Sequence, residues 1–180
     1  MVITSGFADD YSNVYNLKQQ YVQAFALSTL GFLIPVMFGH PQLLVGVLVN
    51  AFIIRAALTL PASRSWPLVF TPVLGALSRG LLFGPFTPFL LYMVPFIWAG
   101  NYILLWAFER RVTGRFGYAL TLGASSVAKA ALLYSSAFIL FNAGLVPAVL
   151  LPSMGLFQLV TALAGGVLAY GSLKVERLLQ

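Results

Sequence analysis

Six long apolar runs with short connectors between them make up most of this chain. Of its 180 residues, 60% are hydrophobic and 8% are charged, whereas globular chains average about 25% charged residues. A membrane-spanning helix needs about 20 mostly apolar residues. We predict an all-α polytopic membrane protein whose six transmembrane helices form one bundle and one domain, residues 1–180. The predicted helices lie near residues 20–38, 42–60, 67–83, 87–108, 118–141 and 147–172, after a short polar segment at 1–19.

Basic residues mark every second connector. They stand before the first predicted helix, between the second and third, between the fourth and fifth, and after the sixth, and the other connectors have none. These residues are Lys18, Arg64, Arg110, Arg111, Arg115, Lys174 and Arg177. Because Lys and Arg concentrate in cytoplasmic loops, the pattern predicts a multi-pass protein of the cell membrane with its N- and C-termini in the cytoplasm. Asp9 and Asp10 stand where a secretory signal is positively charged, so we expect no cleaved signal peptide.

The reactive side chains exclude several kinds of chemistry. The chain has no Cys and one His, so a disulfide, an iron–sulfur cluster and a Cys/His zinc site are excluded. Its four acids lie outside the apolar runs. Catalysis by a pair of carboxylates within the membrane-spanning helices is therefore excluded. There is no GxxxxGKS/T phosphate loop to bind ATP. We therefore expect a protein that is not an enzyme, with no catalytic residue, metal or cofactor. The net charge of +6 is spread between the apolar runs, so no nucleic-acid partner is expected.

Three basic residues fall within the predicted helices, and no acid lies within any of them to form a pair. A charge at the centre of a spanning helix costs about 2.5–3.5 kcal/mol on insertion scales and so suggests a function. Arg55 lies near the cytoplasmic end of its helix, where its side chain can reach the interface. Arg79, in the outer half of its helix, can reach outward or face an external cavity. Lys129 lies near mid-membrane, where a cavity explains it better.

Other polar side chains lie at positions that could share such a cavity. Gln158 and Thr161 lie on one face of the sixth predicted helix, and Ser136 lies on the same face of the fifth as Lys129. For each residue alone, including Asn50, a hydrogen bond that holds two helices together is the alternative reading. A cavity with a basic group, neutral hydrogen-bonding groups and no acid suits an anionic or carboxylate-bearing small molecule. The candidate substrate-binding residues are Lys129, Asn101, Gln158, Ser136, Arg79, Trp98 and Tyr92.

Small residues recur along one face of the first helix. Ala24 and Ser28, with Gly31 beyond them, have the small-xxx-small spacing that lets two helices approach closely. This face can serve internal packing, or it can bind a partner.

Three stretches resemble a known family. Residues 70–80 read FTPVLGALSRG, residues 83–87 read FGPFT, and residues 95–101 read PFIWAGN. They resemble the substrate-binding S components of energy-coupling factor (ECF) transporters, which carry a Pro-x-x-Gly-Ala opening on helix 3, a Gly-rich external turn, and a Pro followed by Gly-Asn on helix 4. The number of spans, the length and the cytoplasmic termini are also similar across nearly the whole chain.

The resemblance implies a subunit that binds a vitamin or similar micronutrient from outside the cell. Transport in that family requires a separate coupling membrane subunit and two ATPase subunits, which contact small residues such as Ala24 and Ser28. The partners expected are thus a small-molecule substrate, the lipid bilayer and those subunits. Members that carry cobalt or nickel have a Met-x-His-type N-terminus, which this chain lacks. No signature for biotin, thiamin, riboflavin or folate is present.

The alternative function is a non-catalytic structural or assembly subunit of a larger membrane complex. In that case the polar side chains satisfy one another and no cavity exists. A membrane-embedded enzyme would need acids or histidines within the spans, and a channel would need a ring of polar residues.

Overall fold

The computed structural model describes residues 16–38, 41–80, 84–111 and 117–178. Throughout these ranges the regular structure is helical, without a β-strand. Residues 1–15 of the predicted polar segment and Arg115 lie outside the described residues, and the rest of that segment begins the first helix. The helices are α1 Leu17–Met37, α2 Gln42–Thr59, α3 Ala62–Ser65, α4 Pro67–Arg79, α5 Thr87–Arg111, α6 Tyr118–Asn142, α7 Leu150–Met154 and α8 Leu156–Leu178, with a 3₁₀ turn at Gly84–Phe86.

Five helical segments of the described chain are long and apolar enough to cross a membrane. They are α1, α2, α5, α6 and the segment formed by α7 and α8. The third predicted span, at 67–83, corresponds to α4, which has 13 residues and a length of about 20 Å, short of the roughly 30 Å hydrocarbon core. It ends earlier than expected because Gly80 adopts a left-handed conformation, with φ of +68°, and donates its N–H to the carbonyl of Ala76. An all-helical fold of this kind is typical of a multi-pass membrane protein.

The last predicted helix, at 147–172, is divided in the structure. The break lies at Gly155, whose φ of −99° and ψ of −96° are not helical. After it, α8 continues to Leu178, beyond the predicted end. The added turn brings Glu176 to Arg55 of α2, and the two side chains form an ion pair. Arg55 is therefore paired with an acid, which we did not expect because Glu176 lay outside the predicted spans.

One end of the bundle, here called the basic end, gathers the start of α1 and the ends of α2, α5 and α8. Gln23 of α1 donates a hydrogen bond of 2.8 Å to the hydroxyl of Thr59 at the end of α2. Ser65 of α3 donates one of 2.6 Å to Oε1 of Glu109 near the end of α5. With the ion pair between α2 and α8, these bonds place the beginning of α1 and the end of α8 at the same end. That arrangement agrees with the alternation of basic residues along the sequence.

The opposite end gathers the end of α1, the end of α4 and the start of α5. The guanidinium of Arg79 donates hydrogen bonds to the carbonyl oxygens of Val36 and Met37, the second at 2.9 Å. The hydroxyl of Thr87 donates to the carbonyl of Gly80 at 2.7 Å. Arg79 thus satisfies terminal carbonyls of α1, where a cation also interacts favourably with the helix dipole.

Large apolar side chains cover the outside of the bundle, whereas several polar side chains are buried within it. Phe25 is 76% exposed and Val167 is 67% exposed, but Lys129 is only 2% exposed. Exposed large apolar side chains occur on all five of the long helical segments. Apolar side chains facing outward and polar side chains facing inward are the distribution expected of helices surrounded by lipid.

Candidate functional site

Lys129 lies at the centre of a polar cluster between three helices. Its Nζ donates hydrogen bonds to Oδ1 of Asn50 on α2, at 2.6 Å, and to Oδ1 of Asn101 on α5, at 2.8 Å. Gly100 makes room for the lysine, because a methyl group at that position would lie 3.2 Å from Cγ of Lys129. Two of the three hydrogens of a protonated amine are therefore directed at neutral amide oxygens.

The partners of the two asparagines orient their amide groups. Nδ2 of Asn101 donates to the carbonyl oxygen of Val69 at 3.1 Å. Since a carbonyl can only accept, Oδ1 of Asn101 must point toward Lys129. Nδ2 of Asn50 donates to the hydroxyl of Thr161 at 3.2 Å, and that hydroxyl donates to the carbonyl of Gln158, also at 3.2 Å. Each asparagine thus presents an oxygen, and no hydrogen, to the lysine.

Glycines bring α2 and α8 close enough for this cluster to form. A methyl group on Gly165 would lie 2.7 Å from the carbonyl oxygen of Val47 and 2.8 Å from Cβ of Asn50. A methyl group on Gly46 would lie 2.8 Å from Cγ2 of Thr161. Side chains at either glycine would separate the two helices. Their absence allows Asn50 and Thr161, which are 111 residues apart in the sequence, to share a hydrogen bond.

The polar cluster borders a cavity of about 80 Å³ inside the bundle. From Lys129 the cavity extends toward the opposite end, where Pro35, Ala76, Leu90 and Met154 contribute apolar walls. The polar side chains that line it come from α2, α5, α6 and α8. They are Gln42, Asn50, Asn101, Lys129, Gln158 and Thr161.

The described residues place no carboxylate beside Lys129. Their two acids are Glu109, which accepts a hydrogen bond from Ser65, and Glu176, which is paired with Arg55. Both lie at the basic end. The described part of the chain also brings together no group of three or more His, Cys, Asp or Glu side chains that could hold a metal ion. What the cavity offers a ligand is an amine, amide groups and a hydroxyl.

Three of the predicted substrate-binding residues meet in this cavity. Lys129, Asn101 and Gln158 all line it. Three further polar members of the lining, Gln42, Asn50 and Thr161, were not among the predicted site residues. The sequence did contain a signal for Asn50, because it is a polar residue in the middle of the second apolar run.

The other four predicted residues lie elsewhere. The hydroxyl of Ser136 donates to the carbonyl of Leu132 in its own helix, at 2.8 Å. Trp98 packs edge-to-face on Phe70, with ring centroids 5.1 Å apart. Tyr92 is 48% exposed on the outside of α5, and Arg79 binds the end of α1. None of these four side chains borders the Lys129 cavity.

The small-residue face of α1 lies against neighbouring helices of the same chain. Ala24 is partly buried against the apolar core. The hydroxyl of Ser28 is buried, and Gly31 is buried where a methyl group would lie 3.3 Å from Oγ1 of Thr71 on α4. In this conformation Ala24, Ser28 and Gly31 serve internal packing. The use of this face by a partner subunit stays a prediction.

The chain matches no protein-family model, no curated protein and no solved structure. Its function is therefore inferred from the geometry and chemistry of the cavity.

Proposed function

We propose that this chain is the substrate-binding subunit of a membrane uptake transporter. Its substrate is a small anionic or carboxylate-bearing micronutrient, such as a vitamin, taken up from outside the cell. The observation that carries the proposal is the amine of Lys129, which is 2% exposed, borders a cavity and faces amide oxygens instead of a carboxylate. In this proposal the chain lies in the cell membrane with the basic end in the cytoplasm.

A substrate carboxylate would supply the missing counter-charge. Burial of a cation without an opposite charge is costly, because the amide oxygens replace only part of the lost hydration. Two hydrogens of the lysine amine are already used, which leaves the third for a ligand oxygen. The side-chain amide of Gln158 lines the same cavity and can donate a further hydrogen bond. A cationic substrate would instead be repelled by Lys129.

The size of the cavity adds a requirement for movement. About 80 Å³ accommodates a carboxylate group or a few waters, whereas small-molecule sites usually measure roughly 300–1,000 Å³. In our proposal the carboxylate binds at Lys129, and the helices at the opposite end move apart to admit the rest of the substrate. Release toward the cytoplasm depends on a coupling membrane subunit and two ATPase subunits, as in the ECF transporters that the sequence resembles.

A second candidate is a structural or assembly subunit of a larger membrane complex. The observation that favours it is that Lys129, Asn50, Asn101 and Thr161 already satisfy one another through hydrogen bonds. In this case the cluster holds α2, α5, α6 and α8 together, and the cavity, which this alternative did not predict, contains only water. The two candidates differ in whether a solute binds at Lys129.

A pair of ligands that differ only in charge tests the proposal directly. The purified full-length chain is screened by thermal shift against carboxylates and their amides, for example nicotinate with nicotinamide and biotin with biotin amide. The chain purified from its own membranes is also examined by native mass spectrometry for a retained metabolite. We expect at least one carboxylate, but not its amide, to raise the melting temperature.

Variants then locate the site. Lys129→Gln should abolish that shift, Lys129→Arg should retain part of it, and Ser136→Ala on the same helix should leave it unchanged. Circular dichroism and size-exclusion chromatography confirm that each variant is folded. Carboxylate binding that survives Lys129→Gln would contradict the proposed site. Three results together would support the structural candidate. The chain would carry no metabolite, its melting temperature would not respond to any carboxylate, and it would co-purify stoichiometrically with other membrane subunits.

A further inference from the structure

A second concave surface lies on the outside of the bundle, between α5 and α6. It encloses about 380 Å³ and is separate from the Lys129 cavity. Its floor and walls include Ala107 of α5 and Ala124 and Ala128 of α6, whose small side chains leave a groove between the helices. Ile103 of α5 adds an apolar wall. We call this surface the α5/α6 groove.

One polar atom in the groove has no partner. Thr121 of α6 lines the groove and is 5% exposed, and its hydroxyl makes no hydrogen bond in the described structure. Buried hydroxyls are nearly always hydrogen-bonded in proteins, so an exception calls for an explanation. The oxygen itself is shielded from the groove, so a ligand reaches it only after rotation about χ1 of Thr121 turns the hydroxyl into the groove. After that rotation, a ligand with an oxygen acceptor would supply the partner. A purely hydrocarbon ligand would not.

The length and position of the groove match half of a bilayer. From Leu120 to Ala128 the helix rises by about 12 Å, close to the roughly 15 Å depth of one hydrocarbon leaflet. Thr121 lies in the first turn of α6, at the basic end. Trp106, in the last turns of α5, borders the groove at the same end, at the depth where tryptophans of membrane proteins concentrate. The groove therefore runs from the interface toward the middle of the membrane.

A cation lies beyond the mouth of the groove. Arg110 follows Ile103 by seven residues and Ala107 by three, so it shares the face of α5 that forms the groove wall. Its side chain is exposed. The carboxylate of Glu109, the preceding residue, accepts a hydrogen bond from Ser65 and is also attracted electrostatically by Arg110. A lipid lying in the groove would bring its phosphate to the level of Arg110.

We propose that the α5/α6 groove binds one acyl chain of an anionic phospholipid. Turned into the groove by rotation about χ1, the hydroxyl of Thr121 donates a hydrogen bond to an ester carbonyl of that lipid, and the guanidinium of Arg110 binds its phosphate. This proposal rests on the membrane location proposed above, but it does not depend on binding of a solute at Lys129. It identifies a lipid site in the leaflet at the basic end.

Quenching of Trp106 by brominated lipids tests the proposal. The chain has three tryptophans, so Trp66→Phe with Trp98→Phe leaves Trp106 as the reporter in the full-length protein. This protein is placed in phosphatidylcholine vesicles that contain one-tenth brominated phosphatidylglycerol or one-tenth brominated phosphatidylcholine. We expect stronger quenching by the anionic lipid. Native mass spectrometry of the unaltered chain provides an independent measure, as the ratio of retained phosphatidylglycerol to retained phosphatidylcholine.

Four substitutions distinguish the groove from the general lipid surface. Ala128→Leu fills the groove and should remove the preference. Thr121→Val should weaken binding of the anionic and the neutral lipid alike. Arg110→Gln should lower the preference by about fivefold, the contribution of one cation near an anionic membrane surface. Ala131→Leu, at an exposed alanine of α6 outside the groove, is the matched control and should change nothing.

Two results would overturn the proposal. The first is equal quenching by both lipids, unchanged by Ala128→Leu. The second is a protein helix in the groove, shown by a partner chain or second copy that shields Trp106 and is released by Ala128→Leu. The fluorescence of Trp106 is measured without any solute present. Failure of lipid binding in the groove and failure of carboxylate binding at Lys129 are therefore observed in separate experiments.

Discussion

Lys129 and Asn101 are joined by a hydrogen bond of 2.8 Å between Nζ and Oδ1, across the contact of α6 with α5. The same asparagine donates from Nδ2 to the carbonyl of Val69, on α4. Its amide therefore connects three helices. If the amide were flipped, its Oδ1 would face the carbonyl oxygen of Val69, and two acceptors would lie together. Asn50 also directs its side-chain oxygen at the lysine. Its Nδ2, however, donates to the hydroxyl of Thr161, and a hydroxyl can rotate to donate a hydrogen bond instead of accepting one. This difference between the asparagines leads to the first two predictions.

The Asn50→Asp substitution is expected to be tolerated and to weaken anion binding. The hydroxyl of Thr161 can turn and donate to the new carboxylate, so the hydrogen bond between α2 and α8 persists. The carboxylate also pairs with Lys129 and occupies the charge that a substrate would use. We expect carboxylate affinity to fall about 10- to 100-fold, since a hydrogen bond to a charged group contributes about 1.5–3 kcal/mol. Isothermal titration and thermal unfolding measure the two effects. An unchanged affinity would show that Lys129 does not contact the ligand.

The Asn101→Asp substitution is expected to destabilise the fold. Here the carboxylate would place an oxygen against the carbonyl of Val69, which cannot donate a hydrogen bond. The carbonyl loses its side-chain donor and faces a second acceptor oxygen, at a cost of about 1–3 kcal/mol. We expect a lower melting temperature than that of Asn50→Asp, measured side by side in the same detergent. Equal stability of the two variants would mean that the amide of Asn101 is not oriented by Val69.

The close approach of α2 and α8 predicts opposite effects at two glycines of the same helix. In Gly165→Ala the new methyl group would lie 2.7 Å from the carbonyl oxygen of Val47, so the helices must separate. We expect a loss of about 1–3 kcal/mol, typical of overpacking. Gly171→Ala meets no atom within 4 Å and should stabilise α8 by about 0.5–1 kcal/mol, because alanine favours the helix. Reversible unfolding in detergent compares both with the unaltered chain. Similar behaviour of the two variants would contradict the close packing.

Arg79 is expected to affect stability and not binding. Its guanidinium binds the carbonyls of Val36 and Met37 at the end of α1 and does not border the cavity. Arg79→Gln should lower the free energy of unfolding by about 0.3–1 kcal/mol, as for loss of a cation at a helix C-terminus. The affinity for a carboxylate ligand should stay the same in a titration. A large loss of affinity with normal stability would restore Arg79 to the substrate-binding residues.

The orientation in the membrane can be tested by labelling, because the chain has no native cysteine. Lys174→Cys, at the basic end, and Leu145→Cys, after the end of α6, both alter exposed residues. In intact cells a membrane-impermeant maleimide should label the second variant only. In inside-out vesicles it should label the first. The reverse pattern would place the basic end outside the cell and invert the proposed direction of uptake.

Sequence periodicity and composition located most of the helices. The second predicted helix, at 42–60, and the fifth, at 118–141, agree closely with α2 and α6. The third and sixth differ, because Gly80 and Gly155 end or interrupt helices that apolar composition alone would continue. Apolar composition measures whether a segment can lie in lipid, whereas backbone conformation at a single glycine decides where a helix ends.

The lining of the Lys129 cavity was predicted in part, for a similar reason. A buried cation is visible in the sequence, so Lys129 could be identified without knowledge of its neighbours. Ser136 shares its helical face, but its hydroxyl satisfies the backbone of its own helix. Asn50 and Thr161 come from distant segments, and no local pattern indicates that they meet.

The sequence by itself determined that the chain is helical and apolar, that charges gather at alternate connectors, and that one lysine lies deep in an apolar helix. These properties depend on residue type and on spacing along the chain. The tertiary structure decided which groups face that lysine, which cation acquires an acid, and where a groove opens. Those outcomes depend on how closely two helices approach, as at Gly165, and on which way each helix is turned. Contacts between helices far apart in the sequence set both quantities.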